Sequence, residues 1–223
     1  VLNGNVQTQS GEYDFATKPP LPSSITFDNQ GATGKLGPSS TSYSWESTYP
    51  DFNVNIIGDG IQEFEVPETG TYRIIAKGGQ GGRDSNQNGE PGGQGARIEG
   101  EFDLNEGDVL RIAVGQKGTD GDGVGGGGGA SHVALYDAGS DTYTELISAA
   151  GGGGGGYYQG GEGNATLATD DGAGGGCCPA AGFRGNAGTD QLQEAAQGFV
   201  NGAQGSAGDQ GGGTGGFGGG AGS

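Results

Sequence analysis

Two uninterrupted glycine runs constrain this chain more than any other feature. Gly125, Gly126, Gly127, Gly128 and Gly129 form the first, and Gly151, Gly152, Gly153, Gly154, Gly155 and Gly156 form the second. Glycine loses more conformational freedom on ordering than any other residue, so pure runs ordinarily read as flexible linker or disordered tail. A linker, however, needs no apolar strands cut to fit between its runs. Here Val133 and Leu135 lie on one side of Asp137-Ala138-Gly139-Ser140-Asp141, and Tyr143, Leu146 and Ile147 lie on the other. That alternation around a polar turn predicts a β-hairpin, with glycine segments launched from its sheet.

An ordered oligoglycine segment has few options. A polyproline-II-like helix has three residues per turn, rises about 3.1 Å per residue and makes no internal hydrogen bonds. Its peptide groups must then be satisfied by water or by neighbouring chains. Without side chains, such helices approach closely enough to bond one another laterally, with Cα–H···O contacts adding a little. A six-residue run would span roughly 19 Å at that rise.

Composition sets the outer bounds. The 223 residues are enough for one domain or two intimately joined halves. Of the 57 glycines only eight precede Lys77, so the chain is strongly asymmetric. No Gly-X-Y period with abundant proline is present, which argues against collagen. An apolar fraction of 30% is too low for a conventional core along the whole length. Most Val, Ile, Leu and Phe fall in the first two thirds, so a β core is expected there.

The net charge is −18, with a pI near 4.1. Such a chain repels nucleic acid and anionic membrane surfaces, and suits basic partners, cations or a saline environment, although simple solubility is the leading reading of the charge. No run of 18 apolar residues exists, so no membrane insertion is expected. Neither an initiating methionine nor a signal peptide is visible, which reads as a processed product or an excised fragment.

Along the chain, residues 1–24 read as a lead-in or linker, with Pro19, Pro20 and Pro22 clustered at its end. Ile25-Thr26-Phe27 reads as a short strand, and 31–38 as a tight loop. The only tryptophan, Trp45, reads as a core or subdomain-junction residue, with ligand stacking as the other possibility. Residues 61–77 predict a strand pair around the turn Pro67-Glu68-Thr69-Gly70. Residues 96–115 predict a second pair around Asn105-Glu106-Gly107-Asp108. Both alternate apolar with charged residues, as a sheet with one wet face does. Each pair, like the hairpin at 131–148, leads into glycine. That recurrence argues against a merely disordered tail. The expected organisation is a β portion over 25–150 and a glycine-rich portion over 151–223, packed as one unit.

The tail spaces its side chains among glycines. Tyr157, Tyr158, Leu167, Phe183, Phe199 and Phe217 read as residues sealing the edge of a glycine bundle, with Tyr157, Tyr158 and Phe183 the candidates for facing a ligand. Residues 189–200 could form a short helical turn. Cys177 and Cys178 are adjacent, and a bond between neighbours forces a strained ring, so free thiols or bonds to another chain are expected. His132 is the single histidine and falls on a predicted strand, as a surface or sheet residue. No catalytic thiol, zinc site, phosphate loop or paired-carboxylate signature emerges. Asp120 and Asp122 resemble fragments of a calcium loop, as do Asp170 and Asp171, without EF-hand spacing. They read as acidic turns, and no cofactor is expected. Asn164-Ala165-Thr166 is a glycosylation sequon, meaningful only in a eukaryotic secretory context.

Five stretches in fixed order carry a resemblance. FDNQGATGKLGP (27–38), GIQEFEVPETGTYRIIAKGGQGG (60–82), EGEFDLNEGDVLRIAVGQKG (99–118), GGGGGASHVALYDAG (125–139) and ELISAAGGGGGG (145–156) together resemble the extracellular glycine-rich domain of the anaplastic lymphoma kinase and leukocyte tyrosine kinase receptors, over roughly residues 25–220. Related glycine-rich domains occur in bacterial and phage surface proteins. The resemblance implies a mostly β fold: an antiparallel β-sandwich like tumour-necrosis-factor domains, with inserted glycine-rich segments forming a bundle of polyglycine-II helices. It also implies an extracellular location, on a cell surface or virion.

The departures limit what transfers. The receptor domains carry extra cysteines near the GATG-like loop, where this chain has Asn29 and Gln30. They continue past their last glycine runs into a further strand and a cysteine-rich module, whereas this sequence stops at Ser223. No ligand-binding residue is therefore carried over, and the missing cysteines favour a microbial or viral relative. The expected function is a non-enzymatic structural or adhesion module, a rigid glycine-helix scaffold presenting loops to a protein or glycan at a cell surface, or to copies of itself. A ligand-binding receptor ectodomain is the alternative, and an enzyme or metal-dependent protein is the third.

Overall fold

The computed structural model describes residues 20–85 and 89–156. Seven strands run in order: β1 Val54–Ile57, β2 Ile61–Glu65, β3 Gly70–Lys77, β4 Arg97–Leu104, β5 Val109–Ala113, β6 Ser131–Asp137 and β7 Thr142–Ala149. All pair antiparallel, in a five-stranded sheet β1-β2-β5-β6-β7 and a two-stranded ribbon β3-β4. Among the described residues there is no helix. The mostly β, antiparallel fold expected from the sequence is the one observed.

The hairpin read at 131–148 forms as β6 and β7, with Tyr136 opposite Tyr143 and a register shift between Val133 and Ala134. Asp137 organises its turn by accepting from Gly139 N (2.8 Å) and Ser140 Oγ (2.7 Å).

The other two expected hairpins are not hairpins. β2 pairs with β1 and β5, whereas β3 pairs with β4. The segments Pro67–Thr69 and Asn105–Asp108 are corners that carry the chain from one sheet to the other. Alternation with period two fixes which side chains face inward, and it is identical for a strand folding back on its neighbour and one crossing to a facing sheet. The partner is decided at the corners, which clamp each other. Val66 N donates to Asp108 O (2.8 Å), Gly107 N to Val66 O (2.9 Å) and Glu106 N to Thr69 Oγ1 (3.0 Å). Gly107 sits at φ +86°, a conformation that favours glycine.

The two sheets share one core. Phe64, Leu110, Ile112, Val133 and Ile147 face Ala76 and Leu104, with Tyr72, Ile74, Ile98 and Phe102 packed around them. Burying a residue such as Ile147 stabilises by about 1.5–3 kcal/mol. β3 packs over β6 and β7, and β4 over β7, so the ribbon covers only one half of the larger sheet.

Segment 20–52 covers the other half without forming strands. The strand expected at Ile25-Thr26-Phe27 is absent, and Phe27 contributes through its ring instead. Phe27 meets Phe64 edge-on at 5.4 Å, and Trp45 stacks on Tyr43 at 5.0 Å while contacting Phe52 and Phe64. Trp45 thus packs against the core where this segment meets the larger sheet, consistent with a core or junction residue. Beneath it, fully buried Gln62 accepts from the Tyr43 hydroxyl and donates from Nε2 to Asp28 O (2.8 Å). Leaving either partner unsatisfied would cost about 1–3 kcal/mol. The loop at 31–38 is entered through a turn in which Ala32 N donates to Asn29 O (2.8 Å).

Candidate functional site: a laterally bonded glycine layer

Five segments leave the strands at one end of the sheets. Residues 78–85 follow β3, 89–96 precede β4, 115–121 follow β5, 124–130 precede β6 and 150–156 follow β7. Antiparallel pairing places all five at that end, so the glycine-rich sequence is gathered there by strand order.

Their hydrogen bonds run between segments and recur every third residue. Gly79 and Gly82 donate to Gly129 and Gly126 (2.8 and 2.7 Å), while Gly78, Gly81 and Asp84 donate to Ala96, Gly93 and Glu90 (2.9, 2.9 and 3.0 Å). Gly152 and Gly155 donate to Gly79 and Gly82 (both 2.9 Å), and Gly128 and Gly125 donate back to Gly152 and Gly155 (2.8 and 2.7 Å). Gly93 and Ala96 donate to Gly153 and Ala150 (both 2.8 Å). Gly129 and Gly126 reach Gln116 and Thr119, and Gly118 reaches Gln80, each at 2.9 Å. A strand in a sheet bonds a given neighbour with period two and has at most two neighbours. Segment 78–85 instead has four, and 150–156 has three.

The absence of side chains makes this approach possible. A Cβ built at Gly78, Gly79, Gly81 or Gly82 would lie within 3.0 Å of backbone in a neighbouring segment, as would one at Gly92, Gly95, Gly115, Gly118, Gly125, Gly128, Gly151, Gly152, Gly154 or Gly155. Within 78–83 every third position carries a side chain, Gln80 and Arg83, and within 91–95 the side chains at Pro91 and Gln94 are likewise three apart. The Gly-Gly-X repeat of GGQGGR was a legible signal of this order that the purity of the later runs overshadowed. Residues 125–129 and 151–156, singled out from the sequence, lie in two of the five segments and are buried throughout.

Two acidic residues at the far end, Asp84 and Asp120, accept hydrogen bonds from the chain. Asp120 accepts from Arg83 N (2.8 Å) and Lys117 Nζ (2.9 Å), and these partners hold its carboxyl below the ordinary aspartate value. Asp84 is buried and accepts from Gly123 N (3.0 Å), beside an Asp84–Gly121 bridge. Asp122 is exposed. Among the described residues no group of three or more His, Cys, Asp and Glu is placed to hold a metal ion.

His132 is buried on β6, a sheet residue with polar neighbours. Ser148 Oγ lies 3.0 Å and Glu145 Oε1 3.8 Å from its Nδ1. Both approach the same ring nitrogen, whereas a nucleophile–base–carboxylate relay needs them on opposite nitrogens. On the outer face of the larger sheet, Arg111 pairs with Glu63 (2.9 Å), lies 3.5 Å from the centre of the Tyr136 ring and donates to the Tyr143 hydroxyl. Sequence reading missed this cluster, because its members come from four strands. Tyr157, Tyr158 and Phe183 lie outside the described residues, as do Asn164, Asp170, Asp171, Cys177 and Cys178.

Among the described residues no helix is long and apolar enough to cross a membrane. No family model matches the chain. Over 98 residues it is 34% identical to the leukocyte tyrosine kinase receptor of Mus musculus, a stretch that makes up 42% of this chain and 11% of that receptor. This similarity supports a distant relation to that receptor family.

Proposed function

We propose that the chain is a non-enzymatic extracellular module in which an antiparallel β-sandwich of the tumour-necrosis-factor type carries a bundle of polyglycine-II helices. The β portion and the glycine portion form one unit, a stiff scaffold that presents variable loops to a protein or glycan partner. The observation carrying this reading is the three-residue recurrence of lateral hydrogen bonds, the repeat of a three-per-turn extended helix. Loops on a rigid frame are where recognition residues concentrate. The receptor similarity supports a second reading, a ligand-binding receptor ectodomain.

Peptide-level amide hydrogen exchange on the whole chain tests the scaffold. Protection in 78–85, 115–130 and 150–156 comparable to that of β5 and β6 is expected. Exchange at unstructured rates there, beside protected strands, would refute it. Antibody labelling of intact source cells or particles tests the location, and signal only after permeabilisation would refute an exposed module.

A further inference from the structure

We propose that the outer edge of β4 is a docking site for an extended, basic segment of a partner protein, which adds a third strand to the β3–β4 ribbon. The inference does not depend on the conformation of the glycine segments.

The edge is open. Each residue of β4 is matched to one of β3, and no backbone hydrogen bond leaves its other edge among the described residues. A two-stranded ribbon faces a five-stranded sheet, and β4 lies at its outer flank over β7. On the inward side Ile98 and Phe102 are packed against the core yet only half-buried. Between them Gly100 has no side chain, and the Phe102 ring lies across it, 3.0 Å from where a Cβ would stand. Glycine inside a strand marks a place where another backbone can come close. An added strand would shield Ile98 and Phe102 with alternate apolar side chains, while its main chain satisfied the edge.

Charge selects the occupant. The outward positions of β4 are Arg97, Glu99, Glu101 and Asp103, all exposed. Arg73 and Arg97 both pair with Glu99, and Thr71 donates to Asp103 at 2.7 Å. Among the described residues Glu101 forms no ion pair, although Arg73 stands opposite it in register. Directly opposite residues on paired strands approach within about 5.5 Å, so Lys or Arg at alternate positions of an incoming strand would meet Glu101 and Asp103. A second copy fits poorly: in the central antiparallel registers at least one Glu would oppose Glu99 or Glu101, within a chain already at −18.

The test uses the full chain and a capped, alternating Lys-Val peptide of about eight residues, matched to the length of β4. Salt-dependent binding is expected, with new amide protection confined to residues 97–104. A peptide of identical charge, N-methylated along one edge, is expected to lose binding, and the double variant Glu101→Lys, Asp103→Lys to bind about tenfold more weakly. Equal binding of the N-methylated peptide, protection along β7 instead, or no binding would each overturn the proposal. Concentration-dependent protection of 97–104 without peptide would also overturn it, by making a second copy the occupant.

Discussion

Replacing Gly152 by alanine probes the glycine layer at a point enclosed by backbone. A Cβ there would fall within 3.0 Å of Gly93 O, Gly93 C and Gln94 O, all backbone atoms that cannot rotate away. Gly152 N also donates to Gly79 O at 2.9 Å, and its carbonyl accepts from Gly128 N at 2.8 Å, so any displacement strains bonds to two further segments. Overpacking of this kind costs about 1–3 kcal/mol. Two weakened hydrogen bonds add about 0.5–1.5 kcal/mol each. Against this, alanine reduces the entropy of the unfolded chain, a gain of roughly 0.4–1 kcal/mol. The net expectation is a loss of about 2–4 kcal/mol, or roughly 4–16 °C in Tm for a chain of this size. Gly70→Ala is the control, because its Cβ would meet only the Tyr72 ring, at 3.9 Å, with no positive φ. Thermal and urea denaturation of both variants decide the matter. A Gly152→Ala melting temperature equal to that of Gly70→Ala would refute close lateral packing at this run.

Further expectations follow from other parts of the fold. Gln62→Leu strips partners from the Tyr43 hydroxyl and Asp28 carbonyl and should cost about 2–4 kcal/mol by urea denaturation; an unchanged midpoint would mean water replaces the amide. Gly107→Ala adds no clash but forces a β-carbon onto φ +86°, so about 1–2 kcal/mol should be lost, and less with Asn. Arg111→Lys keeps the charge yet loses the planar contact with Tyr136, and a decrease of about 1 kcal/mol is expected in a salt-insensitive fraction of stability. Asp120 is held below the ordinary aspartate value, so its contribution is present above the unfolded pKa of about 3.9 and fades as pH falls through the lower folded value. Asp120→Asn should flatten the acid limb of Tm against pH, and an unchanged slope would remove Asp120 from the linkage.

Much of the β framework was legible because inward and outward positions follow from period-two alternation alone. The hairpin β6–β7 was readable in full, since its turn and its pairing are local. The partners of β2 and β3, and of β4 and β5, were not readable: the corners at Pro67–Thr69 and Asn105–Asp108 look like hairpin turns in sequence. Only their mutual hydrogen bonds, between residues some forty positions apart, send the strands to different sheets. Ile25-Thr26-Phe27 has strand-like residues, yet ring packing on Phe64 places Phe27 without an edge to pair with.

By itself the sequence determined that glycine would dominate one end of the molecule, that a β core would occupy the rest, and that the surface would be acidic. Tertiary structure decided which glycine meets which, as at Gly79 beneath Gly129 and Gly152. A glycine run carries no side-chain pattern from which a register can be read. Its neighbours are chosen by the strands that deliver it, because β3, β5 and β7 finish, and β4 and β6 begin, at the same end of the two sheets.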